Sequence, residues 1–324
     1  MNKFDTPFKQ EIIKKLEDKG LSPNSIKMYV RNLEILNDDL PLKNINFLKD
    51  KDVIINKISN RKPTTQRSYL VSITVILGVL KGENKQINKL YDDYYKTMME
   101  TISVIRNNHT NEVPEEKKEN FITWKEVEQK HNELKTKVEN FIKNKEINTN
   151  QYNTLLDYVI LSLYVFHPPR RNTDYQKLFI TDKSQNLPLN MNYLDLNSKK
   201  FVFNVFKTAK KEGQVVIDID PKLFEVIQMY LKFHPLFPQQ KKLQKNISIP
   251  FLVDVNGKTF EKVNDMTRIL NRIFGKRIGS SMLRSIYLTD KYSDLKKEQE
   301  TDAKKMSHSV STQQNDYVKN RTDL

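Results

Sequence analysis

The chain has 324 residues, room for two domains of ordinary size. Apolar residues make up 37% and charged residues 29%, and no apolar run approaches the roughly 20 residues that a bilayer span needs. Cysteine is absent, which excludes disulfides, thiolate metal sites and cysteine nucleophiles. The 55 Lys and Arg outnumber the 40 Asp and Glu, for a formal net charge of +15. Coding bias inflates lysine without unbalancing the acids, so this excess points to a polyanionic partner, nucleic acid before a membrane surface.

In chain order, the opening "MNKFDTPFKQEIIKKLEDKG" lacks the apolar stretch of a secretory signal, and an intracellular setting is expected. Residues 1–106 read as helices. In "LSPNSIKMYVRNLEILN", Ser22 is a cap and Pro23 a first helical residue, with Ile26, Tyr29, Val30, Leu33 and Leu36 at helical spacing. In "KPTTQRSYLVSITVILGVLKG", Thr64 or Thr65 is expected to cap and Gly82 to end the helix. "QINKLYDDYYKTMMETISVIRN" reads as a further helix. Residues 107–122 have no periodic apolar pattern and read as a linker. The expected domains are therefore 1–106, helical, and 123–324.

A long helix is expected from Thr123 to about Asn144, and another over "NTLLDYVILSLYVF". "FVFNVFK" and "QVVIDID" read as two strands of a hairpin around "TAKKEG". "PKLFEVIQMYLKF", "KVNDMTRILNRIF" and "SSMLRSIYLTDKY" read as helices. The expected class is mainly α, with one small antiparallel sheet in the second domain.

Several standard sites are missing. The seven glycines form no phosphate-binding loop, and there is no HExxH. His109, His131, His167 and His234 have no partner at metal-ligand spacing and read as structural or surface residues. Asp92–Asp93 and Asp218–Asp220 read as solvated or capping acids rather than a nuclease metal site. No cofactor and no metal are expected.

What remains is a set of cations. In "FHPPRRNTDY", two prolines stiffen the exit from a buried helix, and Arg171 precedes Asp174 by three positions, where a helical turn puts both on one face. An arginine at a helix start can clamp phosphate. Lys207 closes a strand and opens the hairpin. Arg284 lies between Leu283 and Ile286, beside an apolar face where a cation needs an anion. His308 and Tyr317 follow nine positions apart in a polar, hydroxyl-rich segment.

In this order the residues resemble the tyrosine recombinases, the integrase family with Cre-like and Xer-like members. "RRNTDYQKL" resembles the Arg-x-x-Glu box with Asp174 as the acid, Lys207 matches the hairpin lysine, and "MLRSIYLTDKY" resembles the His-x-x-Arg box. "SHSVSTQQNDY" resembles the Gly-His-(x)8-Tyr box. The wording is most similar to integrases of large DNA viruses and virophages. Two positions depart: Ser281 stands where the family has its box histidine, and Ser307 where it has glycine.

The resemblance implies a helical core-binding domain followed by a catalytic domain. It implies Tyr317 as nucleophile, Arg171, Arg284 and His308 on the phosphate oxygens, Lys207 as proton donor to the leaving 5′-oxygen, and Asp174 and Ser281 in support. The implied activity is site-specific integration or recombination through a 3′-phosphotyrosine, with double-stranded DNA as substrate, a homotetramer on DNA, and no membrane partner. A DNA-binding protein that has lost catalysis and a type IB-like topoisomerase are the alternatives.

Overall fold

The computed structural model describes residues 5–82, 84–108, 110, 112–182, 187–242, 247–262 and 264–319. His109 lies outside them. The chain divides into two compact units, Met1–Glu112 and Val113–Leu324, a division that falls within residues 107–122.

Among the described residues, the first unit has five helices: α1 (Pro7–Asp18), α2 (Pro23–Leu36), α3 (Lys51–Ser59), α4 (Pro63–Leu80) and α5 (Lys85–Asn107), with a 3₁₀ turn over Asn46–Lys49 before α3. Proline occupies the first position of α1, α2 and α4, where its missing N–H costs nothing. Thr6, Ser22 and Asn84 cap α1, α2 and α5 through their side-chain oxygens. At α4, Pro63 takes the first position and Lys62 the cap, which puts Thr64 and Thr65 inside the first turn rather than at the cap. Gly82 follows α4 at φ +99°, a conformation open to glycine. The core gathers Ile12, Leu16, Leu33, Ile73 and Leu77 around the middle of α4. Asn32 donates to Ser72 Oγ at 2.8 Å, and the buried Tyr94 hydroxyl donates to the Leu48 carbonyl at 2.9 Å.

The second unit is helical around a small sheet. Its elements run α6 (Glu115–Lys118), α7 (Trp124–Glu139), α8 (Thr149–Val165), α9 (Asn172–Gln176), β1 (Leu178–Thr181), β2 (Asn192–Asp195), β3 (Lys200–Phe203), α10 (Ala209–Glu212), β4 (Val215–Asp218), α11 (Pro221–Phe233), α12 (Phe237–Lys242), β5 (Ser248–Pro250), α13 (Asp265–Phe274), α14 (Ser280–Lys305) and α15 (Val310–Thr312), with a π turn over Gln313–Tyr317. A reciprocal pair of bonds between Thr123 and Glu126 starts α7. The helix stops at Glu139 rather than near Asn144, because Phe141 turns into the core. Asp220 caps α11 by accepting from the N–H of Lys222 at 2.8 Å, and Asp218 pairs with Lys200.

The sheet order is β4-β3-β2-β1-β5. β3 and β4 form the expected antiparallel hairpin, with Phe201 opposite Ile217. The sheet as a whole is mixed rather than antiparallel: β1 runs parallel to β2, with Leu178 opposite Asn192. β1 and β2 are buried on nearly every residue and only four residues long, so neither carries the alternation that marks a strand in sequence. Among the described residues, no helix is long and apolar enough to cross a membrane.

Candidate functional site

Almost every residue of α8 from Leu155 to Tyr164 is buried, and it delivers the chain to the core edge at Phe166. Pro168 and Pro169 cannot continue a helix, so His167–Arg171 leaves it as an extended segment. One turn of helix, α9, then leads into β1. This segment, the β3–β4 hairpin and the first turns of α14 enclose a cavity of about 500 Å³. Phe201, Phe203, Val215 and Ile217 supply its apolar wall, and Arg171, Asp174 and Arg284 reach it from segments more than a hundred positions apart.

The two arginines of "PPRR" play different parts. Arg170, not Arg171, pairs with Asp174, at 3.1 Å, and its guanidinium lies 4.0 Å above the Phe203 ring. Burial pushes the Asp174 carboxyl up from its usual range, and Arg170 and then Arg171 pull against that. The Arg171 side chain makes no salt bridge to Asp174. Arg171 caps α9 instead, and its carbonyl accepts the Asp174 N–H at 3.0 Å. With only five residues, α9 offers little helix dipole to an anion.

Arg171 and Arg284 are each partly buried, and neither side chain makes a hydrogen bond or salt bridge to any described residue. Lys207 does not close a strand as expected: β3 ends at Phe203, the connection carries α10, and Lys207 is exposed between them, with its chain neighbours Phe206 and Thr208 lining the cavity. Ser281 is exposed in the first turn of α14, and the neighbouring Ser280 makes the contact there: its Oγ accepts the Asn172 N–H at 3.3 Å.

His308 and Tyr317 come together, with ring centroids 5.2 Å apart and planes 27° from parallel. Ser309 caps the turn between them by accepting from Thr312 N–H. Ser307, at the position of the box glycine, has φ +55°, the left-handed conformation that glycine adopts without strain. Neither ring is among the residues lining the arginine cavity. The reason is α14. Between Leu288 and Lys305 it contains no glycine or proline and many good helix formers, so it runs unbroken for 26 residues. Its far end carries the histidine–tyrosine pair, and Gln314 donates to Gln299 Oε1 at 3.2 Å. By the helix rise of about 1.5 Å per residue, Gln299 is on the order of 22 Å along the axis from Arg284. Tyr317 itself is 67% exposed.

The other histidines have local partners. His131 Nε2 lies 2.9 Å from Ser162 Oγ, and that hydroxyl donates to the Tyr158 carbonyl, so the imidazole is the donor of the pair. His234 Nδ1 accepts from the N–H groups of Leu236 and Phe237, which leaves Nε2–H for the Pro250 carbonyl. Burial lowers both to about 4. His167 lines the cavity, accepts the Asp220 N–H, and is also lowered by burial.

Sequence reasoning missed Arg170, Asn172 and Ser280; His167, read as structural, accepts the Asp220 N–H. The bonds that tie Asn172 to Thr267 and Ser280 reach across 95 and 108 positions and carry no local signal. No family model, curated protein or solved structure matches this chain.

Proposed function

We propose that the protein is a DNA strand transferase that cleaves and rejoins a phosphodiester through Tyr317, as its resemblance to tyrosine recombinases implies. One observation carries the reading: two partly buried guanidiniums, Arg171 and Arg284, line one cavity and make no hydrogen bond or salt bridge to a described residue, although Asp174 and Glu212 line it too. Partly buried cations need a counter-charge, and the rigid forks of two arginines fit the non-bridging oxygens of a phosphate. The net charge of +15 supports duplex DNA as the source of that phosphate.

In the reaction, the Tyr317 oxygen attacks phosphorus and gives its proton to solvent while the bond to the 5′-oxygen breaks. Arg171 and Arg284 hold the charge that builds on the equatorial oxygens. Lys207, beside the cavity mouth, gives a proton to the departing oxygen. The phosphotyrosine conserves the bond energy, so a second 5′-hydroxyl can reverse the step on another strand. The unit Met1–Glu112 grips the duplex, and copies assemble on DNA to exchange strands.

The distance between Tyr317 and Arg284 favours a second reading, a DNA-binding protein that no longer cuts. A suicide duplex separates the two. The parent is expected to form a covalent adduct in EDTA, and Tyr317→Phe to bind the same duplex with no adduct. A parent that binds with salt-dependent affinity and never forms the adduct would leave the second reading standing.

A further inference from the structure

Two arginines can grip one phosphate only if something sets the distance between them. They belong to different elements: Arg171 caps α9, and Arg284 lies one turn into α14. The residue after Arg171 joins these elements. Asn172 is 7% exposed, and three of its polar groups are used. Its Oδ1 accepts from the Tyr164 hydroxyl on α8 at 2.7 Å. Its Nδ2 donates to Thr267 Oγ1 on α13 at 2.9 Å. Its backbone N–H donates to Ser280 Oγ, on the first residue of α14 and four positions before Arg284.

We infer that Asn172 and Ser280 form a positioning brace that fixes Arg171 relative to Arg284, so that the two act on one phosphate as a unit. The inference rests on the strand-transfer reading for its chemistry, but the brace itself is a matter of geometry. The path from one cation to the other is Arg171, the Asn172 amide, the Ser280 hydroxyl and one helical turn to Arg284. The tie to Tyr164 roots the brace in a fully buried side chain. Without the Ser280 hydroxyl, the start of α14 is still held by the burial of Leu283 and Ile286, but its tie to α9 is lost. The fold survives while the spacing of the guanidiniums loosens. Misplacement of about 1 Å at a reacting group costs roughly 100-fold in rate.

Ser280 is the residue to change, because Asn172→Ala would leave polar groups stranded in the core and could fail to fold. Ser280→Ala removes the acceptor, and Ser280→Thr keeps it. Two readouts are taken on each variant: inorganic phosphate binding by calorimetry, and the rate of adduct formation at saturating duplex. The parent should bind phosphate in a way that both Arg171→Ala and Arg284→Ala weaken. Ser280→Ala should weaken phosphate binding too and slow the adduct step roughly 10- to 100-fold, with duplex affinity unchanged. Ser280→Thr should restore both. If Ser280→Ala matches the parent in both readouts, the brace is wrong and strand transfer stands. If phosphate capture depends on Ser280 and both arginines but no variant or parent cuts DNA, the brace stands and strand transfer falls. A parent that neither captures phosphate nor cuts overturns both.

Discussion

Arg170 and Arg171 are chemically identical neighbours with opposite duties. Arg170 is committed to the fold: it neutralises Asp174, whose side chain is 3% exposed, and covers the Phe203 ring. Arg171 makes no hydrogen bond or salt bridge to a described residue and acts on Asp174 only through space. The two substitutions should therefore separate stability from chemistry. Arg170→Ala leaves a buried carboxylate unpaired, an error that typically costs about 3–5 kcal/mol, so a large drop in denaturation midpoint is expected. Arg171→Ala should leave the midpoint nearly unchanged and abolish the adduct. Equal losses of stability in the two would show that both arginines are structural. At this scale the sequence was half legible. Arg284 stood out because a cation beside apolar neighbours demands an explanation, and Arg171 because it starts a helix after two stiffening prolines. The pairing of Arg170 with Asp174 was not legible, because spacing alone cannot tell a pair three positions apart from one four apart, and the choice falls to Arg170 stacked on Phe203. Asn172 and Ser280 were silent, because an Asn and a Ser are ordinary until their partners are known.

Helices in the second unit are pinned by neutral histidines. His131 on α7 donates to Ser162 on α8, and His234 ties the end of α11 to β5. Their sign with pH is opposite to that of a histidine in an ion pair. Burial is the main cause of the drop from 6.5 to about 4 in both, with Lys135 adding to it at His131. The unfolded chain therefore takes up protons first as pH falls. Stability is full above pH 6.5, declines from there to about pH 4, and is then flat with respect to these groups. At pH 5 each histidine removes about 2 kcal/mol. Chemical denaturation of the parent should show that decline between pH 7 and 5, to which the lowered His167 adds, and His131→Gln should remove the share of about 2 kcal/mol that His131 contributes at pH 5. An unchanged slope in the variant would mean that His131 is not the titrating group. Element by element, the sequence was most legible where the periodicity was long or the turn chemistry distinct. Helices α2, α5, α8, α11 and α13 and the β3–β4 hairpin all fall in that class. β1, β2 and β5 were missed because three or four residues buried in a sheet centre carry no period. The end of α14 was missed because nothing after Tyr292 looks apolar enough to demand a helix, yet nothing there breaks one.

At the scale of the whole molecule, the candidate residues fall into two groups that the proposed strand transfer would have to join. The arginine cavity is at one end of α14 and the histidine–tyrosine pair is at the other. Between them Leu288, Tyr292 and Leu295 stand exposed at helical spacing, a surface that gains from burial. Nucleophilic attack needs the reacting atoms about 3–3.5 Å apart, so a separation on the order of 20 Å cannot persist in the reacting complex. DNA binding should therefore bring Tyr317 to an arginine cavity, its own or that of another copy. The absence of cysteine makes this measurable, since two introduced cysteines take spin labels without competition. Ser285→Cys reports beside Arg284, and Val318→Cys beside Tyr317; both positions are exposed. The free protein should give one distance population on the order of 20 Å, from about 1.5 Å of rise per residue between Ser285 and Gln299. A shorter population should appear on a suicide duplex, in proportion to the adduct. Dilution with unlabelled protein tells which cavity is used: approach within one copy survives dilution, and approach between copies fades. If the adduct accumulates while the distance stays as in the free protein, the nucleophile is a residue other than Tyr317, and the assignment of the His308–Tyr317 pair to catalysis fails.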